Sequence, residues 1–289
     1  MPVWHQRDDW FLDAVHSVLN EVDVRLELIV VDDGNEVSVR ELLAEIHDPR
    51  LRLIETAHGG PSHARNVGLA AARGDYVRFV DADDAVVAGG TAALLRAAGG
   101  RYRIAQGAVE ICDEHLRVRR TCRAVKLRQP LQSCLTGRFD TYHPALLFPR
   151  RVLDAVGGWP ERATSEDWDL VLRALEIAAL EPCAPVVYRY RRWPGSLSAA
   201  TTAPHETANA IIRDHFERFP EHRGTKIERQ AEAYLTQREL NEYRAASPWT
   251  SVAWWRAAID NPTYLAKTAL AEARKPLSSI KRHTVTKFR

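Results

Sequence analysis

Apolar side chains recur at helical spacing early in the chain: Trp10, Phe11, Ala14, Val15, Val18 and Leu19 share one face, which predicts an amphipathic helix packed inward along that face. The period then changes. Leu26 to Val31 is a short, nearly continuous apolar run rich in β-branched residues, the pattern of a strand covered on both sides. A helical segment follows from Val37 to Ile46, then a strand from Leu51 to Ile54. The loop from Thr56 to Pro61 carries Gly59-Gly60-Pro61 and leads into a third helix that opens near Ser62 and is expected to close at Gly74, a carboxyl cap. Tyr76 to Val80 reads as the next strand. Strands alternating with helices predict parallel β-α-β units. Between about Arg101 and Lys126 the pattern becomes alternating and charged, as in antiparallel strands with one wet face, so the expected α/β fold has a mixed, mostly parallel sheet flanked by helices.

Further along, Gly157-Gly158-Trp159-Pro160 punctuates the chain, and a helix begins around Ser165. Trp168, Val171, Leu172 and Leu175 give it an apolar face, while Glu166, Asp167 and Asp169 crowd its first turn. Acids there complement the helix dipole, but three are more than capping requires. Beyond about residue 204, helical periodicity runs through Glu206 to Phe219, Ile227 to Ala245 and Val252 to Ile259, broken at Pro204, Pro220, Pro248 and Pro262. Residues 1–203 are therefore expected to form one α/β domain, and residues 204–289 a helical extension. Its Trp249, Trp254, Trp255 and Tyr264 suit packing onto that domain, a homodimer contact or peripheral contact with the inner membrane surface.

Composition removes several classes. The 289 residues are 45% hydrophobic and 27% charged, enough for a full core, and 40 basic against 38 acidic residues leave a net charge of +2. That is no electrostatic footprint for nucleic acid. Charge concentrates only at the end, where Lys267, Arg274, Lys275, Lys281, Arg282, Lys287 and Arg289 face the single acid Glu272. Cys112, Cys122, Cys134 and Cys183 have neither metal-type spacing nor the density of a disulfide framework. No run approaches the ~18 apolar residues of a membrane span and no secretory pattern opens the chain, so a cytoplasmic location is the default expectation.

The candidate chemistry lies at strand ends. Asp81-Ala82-Asp83-Asp84 follows one strand and Asp32-Asp33-Gly34 another. In an open α/β sheet the carboxyl ends of strands are where ligands bind, and clustered carboxylates there suit an oxygen-seeking divalent cation; a solvated turn is the other reading.

The strings VVDDG, GGPSHARNVGLAAARGDYVRFVDADD, GGWPE and EDWDLVLRAL, in this order, resemble the inverting family 2 glycosyltransferases of the GT-A (Rossmann-like) fold, over roughly residues 2–200. The resemblance implies transfer of a sugar from a nucleotide-sugar donor, a UDP-sugar by preference, to an acceptor hydroxyl, with Mg2+ or Mn2+. It places the metal on Asp83 and the nucleotide-sugar around Pro2, Val3, Trp4, Asp32, Arg65, Asp81 and Ala82. Asp32 would accept from a uracil-like ring N–H, Asp81 would contact the ribose or assist the metal, and Arg65 would face phosphate oxygens. Asp167 would be the general base, supported by Glu166 and Asp169, whose like charges raise its proton affinity; Asp169 is the runner-up for the role. The acceptor implied is a carbohydrate or lipid-linked acceptor in bacterial surface polysaccharide or glycolipid synthesis.

Two departures from that pattern stand out. Met1 directly precedes Pro2-Val3-Trp4, so most of a first strand expected between those ending at Asp32 and Asp81 is absent, and the natural start is expected upstream. Trp193 stands where many relatives carry a metal-side histidine; Arg191 or Arg192 would then hold the diphosphate in a closing loop, or both are plain strand-end charges. His143 could face the acceptor. Two other classes stay open at this point: nucleotidyl transfer to a sugar phosphate, and a nucleotide-sugar-binding module without catalysis.

Overall fold

A computed structural model describes residues 1–100, 102–139, 142–162, 164–193 and 205–246. Its first layer follows the hydrophobic pattern closely. Helix α1 (Asp8–Leu19) buries Trp10, Phe11, Ala14, Val15 and Leu19 and carries Asp8 and Asp9 in its first turn. Strand β2 (Leu28–Asp33) is buried throughout, which is why its sequence shows no polar alternation. It lies between β1 (Pro2–Val3) and β3 (Leu51–Thr56), both parallel to it, with Pro2 opposite Val31 and Leu28 opposite Leu51.

The second helix is shorter than the pattern predicts. Only α2 (Arg40–Leu43) is helical within Val37 to Ile46, because Asp32 draws the Val39 N–H into a hydrogen bond of 3.1 Å and fixes a turn where the helix would begin. Helix α3 (Pro61–Ala71) starts with proline at its first position, after Gly60 at φ 86°, a conformation that favours glycine. It ends before Gly74: Ala72 is extended, Arg52 takes the Ala71 carbonyl at 3.1 Å, and Arg150 takes that of Ala72.

A second sheet runs in the order β4 (Tyr76–Val77), β8 (Leu146–Pro149), β6 (Arg103–Cys112), β9 (Ala179–Arg191), β5 (Ala85–Val86), with β7 (Val118–Cys122) also paired to β6. β6 and β9 are parallel and the other pairs antiparallel, so the sheet is mixed. The wet face anticipated near residue 120 belongs to β7, while β6 is largely buried. α4 (Gly90–Ala98), α5 (Pro130–Leu135), α6 (Arg150–Ala155) and α7 (Glu166–Ile177) cover this sheet. α8 (His205–Arg218) adds Ala208, Ile211, Ile212 and Phe216 to the apolar cluster that holds Leu172 and Leu175 of α7, and α9 (Lys226–Ala246) adds Ala231. The described part of the extension, residues 205–246, thus packs on the core. Val252 to Ile259, Trp249, Trp254, Trp255, Tyr264 and the basic tail lie outside the described residues. Among the described residues no helix is long and apolar enough to cross a membrane.

Only two of the five positions from Tyr76 to Val80 form a ladder. Their expected central neighbour is missing: among the described residues no strand joins the two sheets, and a cavity of about 700 Å3 separates Val24–Ile29 from Gly74–Val80.

Candidate functional site

The acid loop that follows β4 gives each carboxylate a different environment. Asp81 accepts from Arg65 at 2.9 Å and lies 3.5 Å from His143. Burial alone would raise its pKa, but the charges and hydrogen bonds of His143 and Arg65 outweigh that and hold it well below the usual carboxylate range. Asp83 is only partly covered; burial first, then the neighbouring Asp81 charge, push it up to about 6, against weaker opposing contributions that include the Trp193 indole and Arg191. Asp84 is fully buried. It accepts from the Tyr188 hydroxyl at 2.8 Å and the Arg191 N–H at 2.6 Å, and burial with the charges of Asp83 and Asp81 raises its pKa well above normal. The chain therefore sinks one acid to anchor the loop, pairs another, and leaves Asp83 as the carboxylate with capacity for a ligand.

Arg191 departs from the expected role of a mobile phosphate clamp. It is buried, its Nε donates to the Asp83 carbonyl at 2.7 Å, another guanidinium nitrogen reaches the Glu114 carbonyl, and its charge sits 4.6 Å from the Trp10 ring centre. Those contacts lock it as a brace beneath the acid loop. Arg192 is exposed, and its backbone N–H donates to the Cys112 carbonyl at 3.0 Å. Trp193 meets Trp10 edge to face, with centroids 5.4 Å apart.

At the end of β2, Asp32 is engaged within its own turn. Its carboxylate accepts from the Asn35 N–H at 3.0 Å, the Asn35 side-chain amide at 2.7 Å and the Val39 N–H at 3.1 Å. Burial works against its ionisation, yet these hydrogen bonds lower its pKa. The residue organises its own turn, with most of its acceptor capacity spent there. Asp33 accepts from the N–H groups of Gly59 and Gly60 at 3.0 and 2.9 Å, pinning the loop that begins α3. Asn35 also donates to the Val3 carbonyl at 3.1 Å and accepts from the His5 N–H at 2.7 Å. Val3 is buried, whereas Trp4 is 47% exposed and stacks on His58 with centroids 4.5 Å apart and planes 22° from parallel. This leaves a flat aromatic platform beside the loop of Asp32.

The head of α7 sorts its acids just as sharply. Ser165 precedes the helix with φ 60°, a left-handed conformation rare outside glycine. Asp169 was expected to support or replace Asp167, but it is 4% exposed and held by Arg162 and by Arg173, the latter at 2.6 Å. Arg173 also donates to the carbonyls of Val156 and Gly158, and Arg162 reaches Asp214 of α8, so Asp169 ties the Gly157-Gly158 turn and α8 to α7. Asp167 makes no ion pair among the described residues; one oxygen accepts from the Trp168 N–H at 2.7 Å.

Arg65 joins the two halves. It is 7% exposed, pairs with Asp81, lies 3.6 Å from Glu166 and rests 4.3 Å over the Trp159 ring, and its Nε and Nη1 make no protein hydrogen bond. Trp159 is fixed in turn by Asn66, which donates to its carbonyl at 2.9 Å and accepts from its N–H at 2.8 Å. A cleft of about 420 Å3 lined by Gly60, Ser62, Arg162 and Glu166 opens alongside. The structure thus brings Asp81, Arg65, His143, Trp159 and Glu166 together, with Asp83 and Asp167 next to members of that group in the chain. Asp33, Asn35, Asp84 and Trp159 had no assigned role in the sequence reading; only the paired acids and the Gly-Gly-Trp string marked them.

For a metal, no group of three or more His, Cys, Asp or Glu side chains stands ready among the described residues. A partly buried carboxylate with raised proton affinity does fit the weaker pattern in which Mg2+ takes one or two protein carboxylates and draws its other ligands from phosphate and water.

Residues 1–157 match the family profile described as Glycosyl transferase family 2. The chain is 39% identical over 89 residues to the glycosyltransferase YibD of Escherichia coli K12, covering 30% of this chain and 25% of that one. It is 42% identical over 79 residues to the succinoglycan biosynthesis protein ExoO of Rhizobium meliloti, covering 27% and 23%. These matched stretches span a quarter or less of the relatives' lengths. Among solved structures, residues 1–349 of S. aureus TarS in complex with UDP-GlcNAc superpose with a TM-score of 0.59 at 17% identity, over 90% of this chain and 78% of that one, a likeness of fold.

Proposed function

The chain belongs to glycosyl transferase family 2, with the GT-A fold, and we propose that it is an inverting hexosyltransferase that moves a sugar from a UDP-sugar to an acceptor hydroxyl. The observation that carries this reading is the pairing of Arg65 with both Asp81 and Glu166, which sets the acid loop beside the head of α7. The chemistry needs both. The acceptor oxygen attacks the anomeric carbon from the side opposite the diphosphate, the glycosidic C–O bond breaks, and Asp167 takes the acceptor proton. Asp169 is buried and paired with two arginines while Asp167 has an oxygen to spare, which supports Asp167 for that task.

Asp83 would hold Mg2+ or Mn2+, which neutralises charge on the leaving diphosphate when bound. The Nε and Nη1 of Arg65, which make no protein hydrogen bond, are suited to phosphate oxygens, and the Trp4–His58 platform to stacking of a uracil-like base. Choice of UDP is supported by the donor in the TarS complex, and a role in cell-surface polysaccharide or glycolipid synthesis by the ExoO relative. The test is Asp167→Asn: transfer from a labelled UDP-sugar should fall by about 10²-fold or more while donor affinity holds. Unchanged turnover removes Asp167 from the mechanism, and donor binding without turnover in the unsubstituted protein supports a binding module instead.

A further inference from the structure

The basic tail is not the chain's only concentration of charge. From His115 to Arg138 the sequence carries seven arginines and lysines and no acid. The first six of them, Arg117, Arg119, Arg120, Arg123, Lys126 and Arg128, are all exposed. β7 carries the first half of this run and pairs with β6, and among the described residues no strand meets its other edge. The ladder fixes it in place: Glu110 faces Thr121, Ile111 faces Arg120 and Val109 faces Cys122. The second half is tacked down by Leu127, which packs on the apolar cluster that holds Leu172 and Leu175. The charges are thus displayed on anchored backbone. Nearby acids claim little of them. Arg119 pairs with Asp113 at 2.7 Å, and Lys126 lies 3.7 Å from Glu181. The side chains of Arg117, Arg120, Arg123 and Arg128 make no ion pair or hydrogen bond among the described residues.

We propose that this surface, from Arg117 to Arg128, docks the protein on an anionic membrane. A negatively charged leaflet attracts clusters of about four to eight basic residues, each strengthening binding about fivefold. The apolar residues in the run suit the same partner. Val118 and Val125, 47% and 57% exposed, stand among the arginines where the lipid interface can take them up. A nucleic acid fits less well, because no Phe, Tyr or Trp occurs between His115 and Arg138 to stack on its bases. The position gives the contact a use, and that use rests on the sugar-transfer reading. Asp113 closes the turn at the start of the surface, accepting from the Arg117 N–H at 3.0 Å. In the same turn the Glu114 carbonyl accepts from Arg191, whose Nε holds the Asp83 carbonyl. Docking at this surface would bring the acid loop to acceptors carried in the same leaflet.

Vesicle co-sedimentation of the full chain tests this, with phosphatidylcholine alone and with about 30 mol% phosphatidylglycerol added. The parent should bind the anionic vesicles at least about tenfold more tightly than the neutral ones, and should lose at least about tenfold between roughly 0.05 and 0.5 M salt. Changing Arg117, Arg120, Arg123 and Arg128 together to Gln should weaken anionic-vesicle binding at least about tenfold, while changing them to Lys should leave it within about threefold. Changing Lys275, Lys281, Arg282 and Lys287 of the tail to Gln should weaken it less than the surface variant does. No preference for anionic vesicles, undiminished binding by the Gln surface variant, or a larger loss from the tail variant overturns the proposal. Complete displacement by single-stranded RNA at equal phosphate also overturns it and assigns the surface to nucleic acid. If the Gln surface variant has a Tm more than about 5 °C below the parent, the four single Arg→Gln changes replace it. Each should weaken binding about threefold or more, and four unchanged affinities overturn the proposal. None of these readouts requires sugar transfer, so failure here leaves the catalytic reading standing, and loss of the catalytic reading leaves vesicle binding to be measured as before.

Discussion

Arg65 donates to Asp81 across 2.9 Å, in a setting where Asp81 is depressed far below the usual carboxylate range by His143 and Arg65 together. Removing one partner of a buried pair strands the other charge, so Arg65→Ala should cost about 3–5 kcal/mol in urea unfolding as well as abolish transfer. Arg65→Lys keeps the charge but not the fork that also serves Glu166 and the Trp159 face; it should recover more than half of the lost stability and little of the activity.

Asp169→Asn separates structure from catalysis at the head of α7. With both arginines left without their carboxylate, unfolding free energy should drop by about 3 kcal/mol. Asp167→Asn, which breaks no ion pair, should unfold within about 1 kcal/mol of the parent. Paired urea titrations read this directly, and equal losses for the two variants would refute the division of roles.

Tyr188→Phe removes the hydroxyl that serves Asp84 at 2.8 Å, leaving a buried carboxyl oxygen short of a donor. The expected cost is about 1–3 kcal/mol, measured by thermal or urea unfolding.

Trp4→Ala should spare stability, since the ring is 47% exposed, and weaken UDP binding by about 1–3 kcal/mol through loss of base stacking; isothermal titration checks it.

The pH dependence has a definite sign. The Met1 amino group falls from 8.0 to about 5 in the fold, so the unfolded chain binds more protons between those values and stability rises with pH there. Asp83 rises from 3.8 to about 6, so the folded chain holds its proton longer and stability falls as pH rises through that range. From pH 6 to 8 the Met1 amine adds stability as pH rises, while the raised Asp84 carboxyl works in the opposite direction. Acetylating the amine should flatten the slope, as measured by Tm at each pH.

What was legible in the sequence was whatever local pattern controls. The α1 stripe, the buried run of β2, the Pro61 start of α3 and the apolar face of α7 all emerge from neighbours within a few residues. The family motifs likewise delivered the acids to one region. What escaped was the choice among adjacent carboxylates, because their partners either lie far away in the chain or, as for Asp169, are nearby arginines that look like surface charges. Asp33, not Asp32, holds the glycine loop 26 residues on; Arg191 braces Asp83 from 108 residues away; and Asp169 is claimed by arginines that periodicity cannot distinguish from surface charges. The end of α3 shows the same thing, since Gly74 looked like a cap while Arg52, from an earlier strand, supplies the donor that closes the helix.

The brace formed by Arg191 has a mechanical consequence. Because the last residue of β9 grips the Asp83 carbonyl and the Asp84 carboxylate at once, the end of that strand is geared directly to the acid loop. A shift of the end of β9 would turn the aspartates with it.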